Sequence, residues 1–457
     1  MRGSVRAHRS RGLRLVALAA LTAGVAAVAA GCGGGGGGGA KSATTSTTTS
    51  NASVKGSVKV WGIWAAEEQK AFQKVIAGFN KQYPNVNVTY QSKGNDIPTI
   101  LATAIAGGNP PDVADVAQPG LVKQLVQEGK LKPIAYAKST IDANFSPAFA
   151  KLGEVNGKLY ALLYKASNKS TLWYSVPAFQ QAGVSAPKTW TQLMSVANTL
   201  KQSGTPAWSL CGASGWTLTD LFENIYLRLY GPAKYNELSS HKIKWTDSSV
   251  TNALQHMAQI IGDSSNIYGG TKGALQTDYP TCVDKAFSTP PKAAMVPEAD
   301  FVANEILQAT KAKPKTGFNV TPFPSISSNS AYSSAIETSG DEIITFRDTP
   351  AIEAFVKYLA TPEAAEIWAK LGGFGTGNKN VPASVYPDPI TRATETPIAQ
   401  AKAAVFDMSD QQPASFGATT GQGEWGIFQK FLQNPKDVSG IQQQLESAAA
   451  KAYKSGK

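Results

Sequence analysis

Tryptophans set just past strands and glycine turns, each with a carboxylate nearby, are the residues of this chain best suited to chemistry. Trp64 follows a strand-like segment and stands beside Glu67 and Glu68. Trp216 closes Gly212-Ala213-Ser214-Gly215-Trp216, with Asp220 four residues on, and Trp425 follows Gly421-Gln422-Gly423-Glu424. The chemistry is recognition: a sugar has apolar C–H faces and a rim of hydroxyls, so its site wants flat aromatic platforms beside amides, carboxylates or lysines. Trp173, Trp190 and Trp368 lie inside apolar periodic segments and read as core. Catalytic signatures are missing. There is no Gly-x-Ser-x-Gly elbow, no His-Glu-x-x-His and no Walker loop. Gly373-Phe374-Gly375-Thr376-Gly377 follows a helix and lacks dinucleotide spacing, so it reads as a helix-ending loop. No catalytic residue, cofactor or metal site is expected. The mature chain has two histidines, His241 and His256, and no zinc-like ligand spacing.

The elements that must position these residues follow from periodicity. Val58-Lys59-Val60-Trp61 alternates as a strand, and Phe72, Val75, Ile76, Phe79 and Tyr83 recur at helical spacing up to Pro84. A strand over 86–90, a helix over 98–107, a short apolar strand over 112–117 and a helix ended by Gly129 complete a βαβαβα run. That pattern predicts a parallel sheet with helices on its faces. Ligands of such sheets bind beyond the carboxyl ends of the strands, where Trp64 and Gln118 fall. Further on, Thr189 with Gln192 spells a capping box ahead of Leu193, Val196 and Leu200. Segments 205–330 mix helices with Pro-rich connections. A strand over 341–346 and two helices follow, the second capped by Thr361 with Pro362 at its first position. The last 60 or so residues read as mostly helical.

The first 57 residues give an address. Arg2, Arg6, Arg9, Arg11 and Arg14 precede an apolar run over 15–30, then Ala29-Ala30-Gly31-Cys32. This is an export signal over 1–31, too short to span a membrane. Small residues before Cys32 resemble a bacterial lipobox, although Ala29 stands where leucine is usual. The resemblance implies cleavage before Cys32 and a diacylglycerol on its thiol. Residues 32–57, rich in Gly, Ser and Thr, then form a flexible tether. The formal charge is +11, and removing the five leader arginines leaves +6. Only Arg228, Arg347 and Arg392 remain among the arginines, with no basic face of the kind nucleic-acid binding needs. With Cys32 lipidated, Cys211 and Cys282 are left, able to pair in an oxidising compartment or to stay as buried thiols.

Several segments carry a family resemblance. Val58-Lys59-Val60-Trp61-Gly62-Ile63-Trp64, Glu67-Glu68-Gln69 and Phe79-Asn80-Lys81-Gln82-Tyr83-Pro84 resemble the opening of extracellular solute-binding proteins of the maltose-binding class. Gly107-Gly108-Asn109-Pro110-Pro111-Asp112, Gln118-Pro119-Gly120, Asn168 to Tyr174, Ser214-Gly215-Trp216 and Leu359-Ala360-Thr361-Pro362-Glu363 fit in the same order, with an α-glucoside flavour at Ser214-Gly215-Trp216 and Phe374. The resemblance implies an α/β, two-lobed periplasmic-binding-protein fold with lobes joined by hinge strands. Lobe one would take 58–167 and 335–371, and lobe two, helix-rich, 172–330 and 376–457. A linear two-domain split is the competing reading. The implied role is a monomeric, lipid-anchored capture protein on the outer face of a bacterial membrane. It would hand a di- or oligosaccharide to the permease of an ABC importer, with no turnover. Trp64, Glu67 and Gln118 would line lobe one, Asn168 and Lys169 the hinge floor, and Trp216, Asp220, Glu298, Phe374 and Trp425 lobe two. A secreted glycoside hydrolase, or the same fold with a polyamine, peptide or metal as cargo, are the alternatives.

Overall fold

The computed structural model describes residues 51–145, 147–400 and 403–455. The export signal and Cys32 lie outside the described residues. The first part of the chain runs β1 (Gly56–Gly62), α1 (Ala66–Gln82), β2 (Val86–Ser92), α2 (Ile97–Ala106), β3 (Val113–Val116) and α3 (Pro119–Gln127), as the periodicity predicts. β1 pairs in parallel with both β2 and β3. α1 buries Ala71, Phe72, Val75, Ile76 and Phe79 on one stripe. Each large side chain there contributes about 1.5–3 kcal/mol on burial.

Six more strands complete two sheets: β4 (Ala161–Asn168), β5 (Thr171–Ser175), β6 (Met295–Val296), β7 (Phe318–Pro322), β8 (Ile336–Thr345) and β9 (Ala404–Phe406). The first sheet has six strands, with β8 running antiparallel to β3 and β4 and parallel to β9. The second has three, with β5 flanked by antiparallel β6 and β7. One lobe is built on each sheet. The second is dominated by helices, among them Trp190–Gln202, Trp216–Ser239, Ser248–Ile261 and Val438–Ser455. β4 and β5 belong to different sheets with only Lys169 and Ser170 between them, so the chain crosses there. The Thr189 capping box forms in full, and Thr361 caps the helix Pro362–Ala369.

Two expectations need correction. β8 starts at Ile336, five residues before the predicted strand. Its first half is polar in sequence, yet Glu337 and Ser339 are buried because this half runs between the lobes and is hydrogen-bonded there. The assignment of 376–457 to lobe two also fails in part. β9 joins the first sheet beside β8, and the Lys379 N–H donates to the Asn144 carbonyl of lobe one at 2.8 Å. A three-residue strand is too short to show a period. Among the described residues no helix is long and apolar enough to cross a membrane.

Candidate functional site

A cavity of about 230 Å³ opens between the lobes, with walls from both. Lobe one supplies the ends of its parallel strands: Ile63, Trp64 and Ala65 after β1, Gly94 and Asn95 after β2, and Ala117 and Gln118 after β3. Lys165 and Ser167 of β4 and Ser339 and Asp341 of β8 form the back. Lobe two brings Trp216, Tyr279, Phe301 and Trp425. Short-range geometry places these rings. Gly215 has φ +96, and a Cβ there would sit 2.7 Å from that of Trp425, so only glycine lets the Trp216 turn pack this closely. Cys211, five residues before Trp216, is disulfide-bonded to Cys282, three residues after Tyr279. The bridge fastens the Trp216 turn to the helix Tyr279–Ala286.

Trp216, half-buried, lies 5.7 Å from the Tyr279 ring and 6.1 Å from that of Phe301, and these two are 5.3 Å apart. The three form one aromatic wall. Around the cavity several buried polar atoms have no partner: Gln118 Oε1 on lobe one, and Trp425 Nε1 and the Tyr279 hydroxyl on lobe two. A buried polar group left unpaired costs about 1–3 kcal/mol, so such atoms point to a hydrogen-bonding guest.

The lysines are held by carboxylates. Lys165 Nζ donates to Glu68 Oε1 at 2.6 Å and lies 3.8 Å from Asp341. Burial opposes its charge, but these carboxylates outweigh burial and its pKa is raised. Lys169 donates to Asp407 and, at 3.1 Å, to Asp220. Burial opposes its charge too, and the surrounding carboxylates again prevail. Asp220, Glu337 and Asp407 are the one group of described residues spaced to hold a metal ion. The Lys169 ammonium already bonds two of them and fills that role.

Of the residues singled out in the sequence, Trp64, Gln118, Lys169, Trp216 and Trp425 border the cavity. Trp64 does so from within the core. Its ring packs on Phe72 and Trp368 at 4.6 and 4.9 Å, and its Nε1 donates to Asp341 Oδ2 at 2.7 Å. The others are not in the wall. Glu67 pairs with Lys70, and its neighbour Glu68, about 100° further round α1, faces the cavity instead. Asn168 turns inward and its Oδ1 accepts the Ser170 N–H at 3.0 Å. Asp220 lies beneath Lys169, and Glu298 is buried with Oε1 unpartnered. Phe374 is core, stacked on Trp368 at 5.1 Å. Tyr279, Phe301, Glu305 and Asp410 were not anticipated, since none sits in a patterned segment.

Burial pushes several carboxyl groups up: Glu342 and Glu305 to about 8, Asp220 to about 7 and Asp300 to about 6. Their unfolded values are about 4. The folded chain therefore holds more protons between about pH 5 and 8, and stability falls as pH rises through that window. The ligand-free protein should melt several degrees higher at pH 5.5 than at pH 8.0. A melting temperature that is level or rising toward pH 8.0 would refute this account of the buried carboxyls.

The fold and the sequence both have known counterparts. A solute receptor with an exclusive preference for β-D-galactopyranose superposes with a TM-score of 0.76 at 18% identity, covering 88% of this chain and 100% of its own. A substrate-binding protein of Listeria monocytogenes, solved with cycloalternan, gives 0.67 at 18% identity, over 88% and 100%. By sequence, an osmoprotective compounds-binding protein of Synechocystis is 30% identical over 79% of this chain and 86% of its own. An alpha-glucosides-binding periplasmic protein of Rhizobium meliloti is 29% identical over 79% and 81%. Residues 65–366 match the family described as bacterial extracellular solute-binding protein. With two lobes, a cavity walled by both and this match over most of its folded length, the chain belongs to the bacterial extracellular solute-binding proteins.

Proposed function

We propose that this chain captures a short, α-glucoside-like saccharide in the interlobe cavity and delivers it to the permease of an ABC importer. The observation that carries the reading is the Trp216–Tyr279–Phe301 wall of lobe two, with unpartnered Gln118 Oε1 on lobe one and unpartnered Trp425 Nε1 beside the Trp216 turn. Rings take the C–H face of a sugar, while an acceptor and a donor on the cavity take its hydroxyls. The α-glucoside preference is supported by the Rhizobium relative, and a saccharide guest in general by the receptors for galactopyranose and cycloalternan.

Capture works by closure. Asn95 of lobe one donates through Nδ2 to Ser214 Oγ at 2.9 Å, and its carbonyl accepts from Thr420 Oγ1 at 3.4 Å. A ligand touching both walls favours this closed arrangement, because only differential affinity shifts the two-state population. The crossing at Lys169 and Ser170 and the strand β8 are the hinge. Lipidation at Cys32 would hold the monomeric protein on the outer face of the cell membrane at high effective concentration near its permease.

A thermal-shift screen over mono-, di- and trisaccharides, with product analysis, tests this. At least one α-linked glucoside should raise the melting temperature and be recovered intact. No shift with any sugar removes the carbohydrate reading, and released monosaccharide would make the protein a hydrolase.

A further inference from the structure

Carboxyl groups outnumber lysines in the cavity wall. Five border it, those of Glu68, Asp278, Glu305, Asp341 and Asp410. Both wall lysines are already committed, Lys165 to Glu68 and Asp341 and Lys169 to Asp220 and Asp407. Asp278 caps its helix by accepting the Thr281 N–H and is exposed. Glu305 is different. It is only 4% exposed, and among the described residues its carboxylate forms no ion pair; the cation whose field reaches it, Lys70, is paired with Glu67.

Its surroundings are those of a cation site. Phe301 lies one helical turn before Glu305, and its ring meets that of Tyr279 nearly edge-on, at 79° and 5.3 Å. The buried Tyr279 hydroxyl also has no partner. Aromatic faces beside a buried carboxylate are the arrangement that binds ammonium groups. Lys165 already demonstrates this locally, its Nζ lying 4.8 Å over the Phe301 ring. Lys70 acts on Glu305 only from beyond ion-pair distance, and a neutral sugar would bring no closer cation.

We infer that the saccharide this cavity takes carries a protonated amine, held at the corner formed by Glu305, Tyr279 and Phe301. The inference rests on the saccharide reading above and narrows it to basic sugars. It has a second consequence. Burial, with Asp284, Glu68 and Glu67 nearby and Lys70 offsetting them only in part, pushes the Glu305 carboxyl up to about 8, so it is largely protonated at pH 7 without ligand. An incoming ammonium makes the carboxylate form the stable one, and the carboxyl proton passes to the buffer.

Calorimetry at pH 7.0 with two matched pairs tests this: cellobiose against the β-1,4-linked disaccharide of glucosamine, and trehalose against trehalosamine. In at least one pair the amine-bearing member should bind about tenfold tighter or better. Its binding enthalpy should vary with buffer ionisation enthalpy as proton release requires. E305Q should bring the two members within about threefold and abolish the proton release. Neutral members binding as well as or better than basic ones, or a preference unchanged in E305Q, overturns this inference alone. No binding by any of the four overturns this inference alone where the saccharide screen gives a neutral hit, and overturns the proposed function with it where the screen gives none.

Discussion

Replacing Trp216 with alanine raises the dissociation constant for the captured saccharide about thirtyfold or more, while Trp216→Tyr retains most of the affinity. Trp216 is the largest ring of the aromatic wall, and it is half-buried. A buried contact of this kind is worth about 2 kcal/mol or more when truncated, and each 1.4 kcal/mol is tenfold. Alanine removes the ring face but leaves the turn intact, because Gly215 and the Cys211–Cys282 bridge set its course. Calorimetry with the best saccharide from the screen is the measurement, with melting of the free variant as control. An affinity within threefold of the parent would return Trp216 to a packing role.

The second large effect falls on stability. Lys169 is the single lysine among the buried carboxylates Asp220, Asp407, Glu337, Glu298 and Asp410. It bonds Asp220 and Asp407 directly, and its carbonyl accepts Asn224 Nδ2 at 3.1 Å. Lys169→Met keeps the stem and deletes the charge. Breaking a buried ion pair from one side costs about 3–5 kcal/mol, because the partners are left uncompensated. The melting temperature should fall by about 5 °C or more at pH 7.5. The deficit should shrink toward pH 5, where the abandoned carboxylates take up protons. A variant that melts within about 2 °C of the parent at pH 7.5 would show that other groups neutralise the cluster.

The sequence made the first lobe readable to within a residue or two because its elements carry clean periods. Phe72, Val75, Ile76 and Phe79 trace α1, and alternation from Val86 to Tyr90 traces β2. Glycine and proline marked the ends. β9 and the polar half of β8 escaped because their environment is set by distant partners, which no local period records. The site divides the same way. Trp216 was visible because an aromatic after a glycine turn is locally conspicuous, and Gln118 because it follows a strand end. Phe374 was misplaced because a Gly-rich loop looks exposed in sequence, although its ring fills the core beside Tyr164 and Trp368. The choice of Glu67 over Glu68 turned on one step of helix rotation, which Lys165 decides from 97 residues away. Tyr279, Phe301 and Glu305 meet Trp216 only through tertiary packing.

The central claim is that one cavity, walled by Trp216 on one lobe and Gln118 on the other, holds the saccharide. A crystal structure of the protein with the tightest-binding sugar of the screen tests it most directly. The expected result is one sugar ring lying against Trp216, with a hydroxyl donating to Gln118 Oε1 and Asn95 closing on Ser214. A sugar bound elsewhere on the molecule, with this cavity filled by water alone, would contradict it.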